Sequence, residues 1–118
     1  MQKSTQNYAE SIQIYAELEE SPQHIDLDKL ALAVATAETQ NCTTGMGVTR
    51  NNCFGIMTWA RGFREGKTYA SKEESYDNFK QIWTEKYSGG YPSHYEAKRW
   101  VGGDPTTWLK NVAASYNK

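Results

Sequence analysis

The sequence predicts a mainly helical α+β domain with about five helices and one small β-hairpin lobe. Helix start signals, in which a side-chain cap is followed by an acid or a proline, recur along most of the chain. Between residues 53 and 70 the helical periodicity gives way to short apolar runs around a glycine-containing turn. Since 118 residues, 38% of them hydrophobic, suffice for one core and not for two, we expect a single domain over residues 1–118.

The first predicted helix occupies residues 1–22. Asn7 followed by Glu10 is a start signal, and apolar side chains then recur at helical spacing. Pro22 cannot continue this pattern, so the helix is expected to end before it. The apolar face consists of Tyr8, Ile12, Tyr15 and Leu18.

The second predicted helix begins at the cap Asp26 and ends near Glu38, an acid on an otherwise apolar face. Leu27, Ala31, Val34 and Glu38 follow each other in steps of four, three and four, which places them on one side of a helix. Glu38 should therefore face the core or a cleft wall. Burial and the negative end of the helix dipole would both raise its pKa, which suits a general acid. The alternative is a glutamate turned to solvent where the helix frays.

The chain contains two cysteines, and we expect them to form a disulfide. Cys42 and Cys53 enclose ten residues, a spacing that fits neither redox pairs nor the usual zinc pairs. A ring of this size contributes about 3 kcal/mol in the loop-entropy model and implies an oxidising compartment. The disulfide therefore predicts a secreted or cell-envelope protein. Since the first residues lack the apolar region of a signal peptide, we expect the signal peptide to be absent from this chain. The alternative is a cytosolic protein with two free thiols.

The hairpin and three further helices complete the domain. FGIMTW, followed by RGFREG and KTYAS, predicts two short strands about a glycine-containing turn. Ser71 with Glu74 starts the third helix, which two glycines stop at positions 89 and 90, and Ser93 with Glu96 starts a short fourth helix. The third helix presents an apolar stripe of Tyr76, Phe79, Ile82, Trp83 and Tyr87.

The last predicted helix follows Gly102, where the fourth should end. Asp104 before Pro105 is a start signal with proline at the first helical position. The inward face is expected to carry Trp108, Leu109, Val112 and Tyr116.

Charge and motifs exclude several classes of partner. The net charge is −1 without any basic run, so a nucleic-acid partner is not expected. No uninterrupted apolar stretch approaches 18 residues, so no transmembrane segment is expected. His24 and His94 lie at no metal-ligand spacing, and nucleotide-binding loops are absent from the sequence, so we expect no metal and no cofactor. A monomer is expected.

Four segments in a fixed order resemble the lysozyme-like superfamily of peptidoglycan-cleaving enzymes. They are AVATAETQNC, GVTRNNCFGIM, KTYASKEESYDNF and RWVGGDPTTWLKNVAASY, and the resemblance covers about residues 26 to 117. It is closest to lytic transglycosylases and bacterial β-N-acetylglucosaminidases, and it implies a lysozyme-like fold that cleaves β-1,4 bonds in peptidoglycan glycan strands. It further implies that Glu38 is the general acid, that Asn52 and Phe54 lie beside sugar subsites, and that Tyr69 lies near the acid across the groove. The first helix has no counterpart in these families.

Position 53 departs from the family pattern, which usually has proline there. A cysteine at this place would tie the end of the Glu38 helix to the first strand of the hairpin. Such a link would preorganise the cleft wall.

Several aromatic residues outside the clearest core stripes are candidate sugar-binding residues. Flat rings along a groove suit the faces of sugars, although most aromatic side chains in small domains fill the core. The candidates are Trp59, Tyr69, Tyr91, Tyr95 and Trp100.

A hydrolase with two carboxylates needs a second acid about 5 to 9.5 Å from the first. Asp26 and Asp28 lie too far along the same helix, roughly 15 to 18 Å from Glu38. The remaining candidates are Glu65, Glu73, Glu74 and Asp77. Capping explains Glu74 and a favourable place at a helix start explains Glu73, so neither needs a catalytic role, and Glu73 is the least implausible second acid. The resemblance offers a single-acid route instead, in which the acid also acts as base, and the sequence leaves both routes open.

Two other functions remain open at this stage. One is a non-catalytic glycan-binding or envelope-assembly module that keeps the lysozyme-like groove. The other is a small disulfide-containing domain that binds another protein, which an exposed aromatic patch would favour.

Overall fold

A computed structural model describes residues 25–60 and 62–118, which form a mainly helical domain with one antiparallel hairpin. The predicted first helix and its start signal lie outside the described residues. No helix among those described has the length and apolar character needed to cross a membrane. The elements are α1 (Leu27–Thr39), α2 (Met46–Thr49), β1 (Met57–Ala60), β2 (Phe63–Gly66), α3 (Lys72–Lys86), α4 (His94–Val101) and α5 (Thr106–Tyr116).

Side-chain caps begin three of these helices at the predicted residues. The side chains of Asp26, Ser71 and Ser93 each accept the backbone N–H three positions later. At α4 the capping box is complete, because the Glu96 carboxylate accepts the N–H of Ser93 in return. At α3 the carboxylate of Glu74 accepts the N–H of Ala70 instead. The predicted second, third and fourth helices are therefore confirmed.

Helix α5 begins one residue later than the sequence predicts. Pro105 occupies the cap position and Thr106 is the first helical residue. Asp104 still fastens this start, because its carboxylate accepts both the backbone N–H and the hydroxyl of Thr106. Trp108 and Val112 are buried on the inward face of α5, which makes its most extensive helix contacts with α1.

The hairpin is shorter than predicted, since its strands cover only Met57–Ala60 and Phe63–Gly66. The FGI residues lie before β1 and outside it: Cys53 and Phe54 form a turn, and Gly55 follows with a φ of 70°, a conformation that favours glycine. Phe54 accordingly points into the core instead of extending the strand. The KTYAS segment likewise follows β2 without joining the sheet.

A stack of aromatic rings joins the helices to the root of the hairpin. Phe54 stacks on Phe79 with 4.5 Å between ring centroids, and Trp83 follows at 5.7 Å from Phe79. Trp100 of α4 packs edge-on against Phe79 and Trp83. Each ring pair of this kind adds about 0.5–1.5 kcal/mol beyond burial, so the stack holds α3, α4 and the hairpin root in one body.

The predicted disulfide between Cys42 and Cys53 is present. Its loop contains the short helix α2, for which the sequence shows no start signal. Gly47 allows this fold, because a Cβ at that position would lie 2.4 Å from the Cα of Cys42. The loop therefore packs against its own disulfide and joins the end of α1 to the root of the hairpin.

Candidate active site

A groove of about 510 Å³ lies between the helical body and the hairpin. Its walls come from the end of α1, the residues leading into β1, the strands, and helices α3, α4 and α5. Aromatic and aliphatic side chains dominate the lining, together with one carboxylate and two guanidinium groups. Its residues are Glu38, Phe54, Gly55, Ile56, Met57, Arg64, Ile82, Tyr87, Arg99, Trp100, Val101 and Trp108.

Glu38 lies in this groove and accepts two indole hydrogen bonds. The Nε1 of Trp100 donates to its Oε2 at 3.0 Å, and the Nε1 of Trp108 donates to the same oxygen at 2.8 Å. The other oxygen, Oε1, lies beside Gly55, where an added Cβ would be 3.6 Å away. One oxygen is thus held by two donors, and the other faces the backbone that leads into the hairpin.

Local structure explains why these two indoles reach the acid. Trp108 is on the inward face of α5, which packs along α1. Trp100 lies near the end of α4, and the aromatic stack holds its ring. An indole N–H that packing removes from bulk water needs an acceptor, and the carboxylate of Glu38 supplies one to both rings.

Partial removal from water raises the pKa of Glu38 above its ordinary value, although its side chain is still exposed at the groove. Removal from water disfavours the charged form, and this effect exceeds the opposing one of the hydrogen bonds from Trp100 and Trp108. The direction is the one that the sequence predicts from the apolar face of the helix. A carboxyl group of this kind keeps its proton to higher pH and can deliver it to a bound ligand.

Glu38 is the only carboxylate that lines the groove among the described residues. Glu73, the predicted second acid, lies in a separate depression on α3, together with Tyr76 and Lys80. The structure does not bring Glu73 and Glu38 into one site. The described part of the chain also contains no group of three or more potential metal ligands.

Asn52, expected beside a sugar subsite, is fully buried and engaged by the backbone. Its Nδ2 donates to the carbonyls of Ile56 and Lys67, and its Oδ1 accepts the N–H groups of Phe54 and Ile56. These bonds close the root of the hairpin. Asn52 therefore does not contact the groove itself but holds the backbone of Phe54 and Ile56, which line it.

Of the remaining predicted binding residues, Phe54 contributes to the groove and Tyr69 does not. Phe54 is buried and also belongs to the aromatic stack. Tyr69 lies at the root of the hairpin, where its hydroxyl donates to Asn78. Burial, with a smaller contribution from the charge of Glu74, raises the pKa of Tyr69 to about 12.

The other three aromatic candidates lie outside the groove lining. Trp59 is 74% exposed on β1, where it pairs across the sheet with the groove residue Arg64. Tyr95 is 73% exposed at the start of α4. Tyr91 packs edge-on against Tyr116, with 5.3 Å between ring centroids.

No pattern in the sequence identified the hydrogen-bond partners of Glu38. Trp108 was assigned to the core face of α5 and Trp100 to a set of possible sugar-binding rings. The abundance of tryptophan beside a single inward acid was a signal, because buried indoles need acceptors. Arg64 and Arg99 carried no comparable signal in the sequence.

Comparisons of this chain with protein-family models, curated proteins and solved structures found no match. The chemical interpretation of the groove therefore rests on its own geometry. That geometry combines an acid with a raised pKa, two indole donors on one of its oxygens, and a groove open to a ligand.

Proposed function

We propose that the protein cleaves β-1,4 bonds in the glycan strands of peptidoglycan, with Glu38 as the general acid. The observation that carries the proposal is the position of Glu38 in a groove, where Trp100 and Trp108 both donate to one of its oxygens. Support also comes from the resemblance of the sequence to lysozyme-like peptidoglycan-cleaving enzymes. A helical body with a small hairpin lobe beside the acid is compatible with that fold.

In the proposed first step, Glu38 protonates the glycosidic oxygen of a bound strand. Its raised pKa keeps a proton available, and the two indoles occupy Oε2, so Oε1 is the better position for that proton. As the bond from the anomeric carbon to the glycosidic oxygen breaks, the proton moves to the leaving oxygen. The same indole donors then stabilise the carboxylate that remains.

In the proposed second step, the 6-hydroxyl of the same sugar attacks its anomeric carbon. The carboxylate of Glu38 takes the hydroxyl proton, which restores the acid and leaves a 1,6-anhydro sugar. This route requires one carboxylate, and the described groove lining contains one. The arrangement therefore favours transglycosylation over hydrolysis by an acid pair, whose second member would lie about 5 to 9.5 Å away.

The proposal includes a location outside the reducing cytoplasm. The disulfide joins the end of the Glu38 helix to the root of the hairpin, and such bonds persist in oxidising compartments. Peptidoglycan is found there as well. We accordingly propose a secreted or envelope protein.

Mass spectrometry of fragments released from purified peptidoglycan tests the function. We expect the native chain to release fragments with anhydro ends and Glu38→Gln to release almost none, since glutamine accepts the indole bonds and has no proton to transfer. Loss of a general acid typically reduces the rate by about 10²–10⁴-fold. Glu85→Gln, a change at an exposed position of α3, is the control and should retain activity.

The result with Glu73→Gln separates the two catalytic routes. Full activity with anhydro products is expected for the single-acid route. Reducing ends without the anhydro form would show hydrolysis instead. Binding to insoluble cell wall without any release of fragments would contradict the enzymatic function and indicate a glycan-binding module.

A further inference from the structure

Two arginines line the groove of Glu38, one on the hairpin and one on the helical body. Arg64 belongs to β2 and Arg99 to α4. The only acid among the described lining residues is Glu38. The described lining therefore carries two basic side chains against one acid, although the whole chain has a net charge of −1.

The guanidinium of Arg99 is held in a defined position. Its Nη1 donates to the carbonyl of Lys86 at 2.8 Å, and its Cζ lies 4.2 Å from the ring centroid of Tyr87. Tyr87 also lines the groove. Because arginine has five N–H donors, this anchoring leaves most of the planar fork for a ligand.

Neither arginine is neutralised by an acid within the part of the chain that the structure describes. The side-chain ion pairs there join Lys80 to Asp28 and Asp77, away from the groove. An arginine that lines a groove without a partner acid attracts anionic groups of a ligand. Carboxylates match the guanidinium fork because two oxygens can accept two parallel N–H bonds.

We propose that the groove selects glycan strands bearing free carboxylates over neutral strands of the same sugars. The inference rests on the proposed function for the identity of the ligand as a glycan. The carboxylates are those of the lactyl ethers on muramic-acid-type residues from which the stem peptide has been removed, and Arg64 and Arg99 are the residues that bind them. An N-acetylglucosamine polymer lacks these groups and should bind more weakly.

Calorimetric binding to Glu38→Gln tests the selectivity without cleavage of the ligand. The probes are a short peptide-free strand of alternating N-acetylglucosamine and N-acetylmuramic acid, its methyl ester, and an N-acetylglucosamine oligomer of equal length. We expect the free acid to bind roughly tenfold more tightly than the ester at low salt, with a smaller ratio at high salt. Equal affinity for the acid and its ester would overturn the inference, as would binding of neither.

Variants in the same background identify the responsible residues. Arg64→Gln and Arg99→Gln should each reduce the preference for the acid over the ester by roughly threefold to tenfold. If Arg99→Gln folds poorly, Arg99→Lys takes its place. This variant keeps a charge and should retain part of the preference for the acid. Lys98→Gln is the control, because it removes one exposed charge of α4 outside the groove. An unchanged preference in both arginine variants would contradict the assignment.

Cleavage by the native chain separates this inference from the proposed function. Equal cleavage of free-acid and esterified strands would leave the enzymatic function in place and refute the selectivity. Preferential binding of the free acid without cleavage by the native chain would refute the enzymatic function and leave the selectivity in place.

Discussion

The helical wall of the groove and the hairpin opposite it use tryptophan in contrasting ways. Trp83 in the wall is fully buried, and Trp108 is nearly so, whereas Trp59 on the hairpin is 74% exposed. The wall tryptophans build a packed core that desolvates Glu38 and directs two N–H groups at it. Trp59 instead stands beside Arg64 on a strand with solvent around it. Packing thus fixes the position and hydrogen bonds of Glu38, whereas the hairpin presents exposed side chains to a ligand in the groove.

The two regions are also fastened by different physical means. Apolar packing of α1 against α5 and the aromatic stack hold the wall together. The hairpin is attached at its root by the polar side chain of Asn52 and by the disulfide from Cys42 to Cys53. A rigid acid and a more exposed opposing wall suit a site in which the chemistry is preset and the ligand is held by surface contacts.

The largest difference in folding stability between the two regions should appear when one tryptophan of each is replaced by alanine. We expect Trp83→Ala to lower the free energy of unfolding by about 4 kcal/mol, because it leaves a cavity in the aromatic stack. Its indole N–H also donates to the carbonyl of Gly90, which would lose this partner. Trp59→Ala should change stability by less than about 1 kcal/mol, because that ring is exposed. Urea denaturation measures both, and similar losses would refute the contrast.

The polar fastening of the hairpin root should show the next largest effect. Asn52→Ala removes partners from buried backbone groups of Phe54, Ile56 and Lys67. We expect a loss of about 3 kcal/mol in the free energy of unfolding, together with faster amide exchange in the hairpin. Asn111→Ala, an exposed change on α5, is the matched control and should alter stability by less than about 0.5 kcal/mol. A neutral Asn52→Ala would show that the root is held mainly by the disulfide.

The smallest predicted effect is a pH dependence of folding stability, caused by Glu38 in the helical wall. The folded-state pKa of Glu38 is raised above its ordinary 4.5, so the folded chain binds this proton more tightly than the unfolded chain. The stabilising contribution is fully present below pH 4.5 and is lost as the pH rises through the folded-state pKa. Native stability should therefore fall relative to Glu38→Gln over that window.

Urea denaturation of both proteins at a series of pH values measures this effect. The difference in unfolding free energy between native and Glu38→Gln should be constant in acid, shift in favour of the variant as the pH rises, and then level off. Trp59→Ala removes no titratable group and should differ from the native chain by a constant amount. A shift in favour of the native chain on raising the pH would mean that the two indole bonds outweigh burial.

Local signals in the sequence specify much of the fold. Caps at Asp26, Ser71 and Ser93 start helices where predicted, because each bond joins residues three positions apart. The pairing of the cysteines follows from their number, and the inward direction of Glu38 follows from the periodicity of its helix. The hairpin was predicted in the right place with strands that were too long, since the turn before β1 depends on the buried Asn52.

The composition of the groove depends on contacts between distant parts of the chain. Trp100 and Trp108 are 62 and 70 residues from Glu38, and no local pattern indicates that both indoles meet at one oxygen. Packing of α4 and α5 against α1 and α3 makes that meeting possible, and it also separates Glu73 from the acid. Helix starts and faces are specified by interactions over a few residues, whereas the partial desolvation that raises the pKa of Glu38 arises only when the helices pack together.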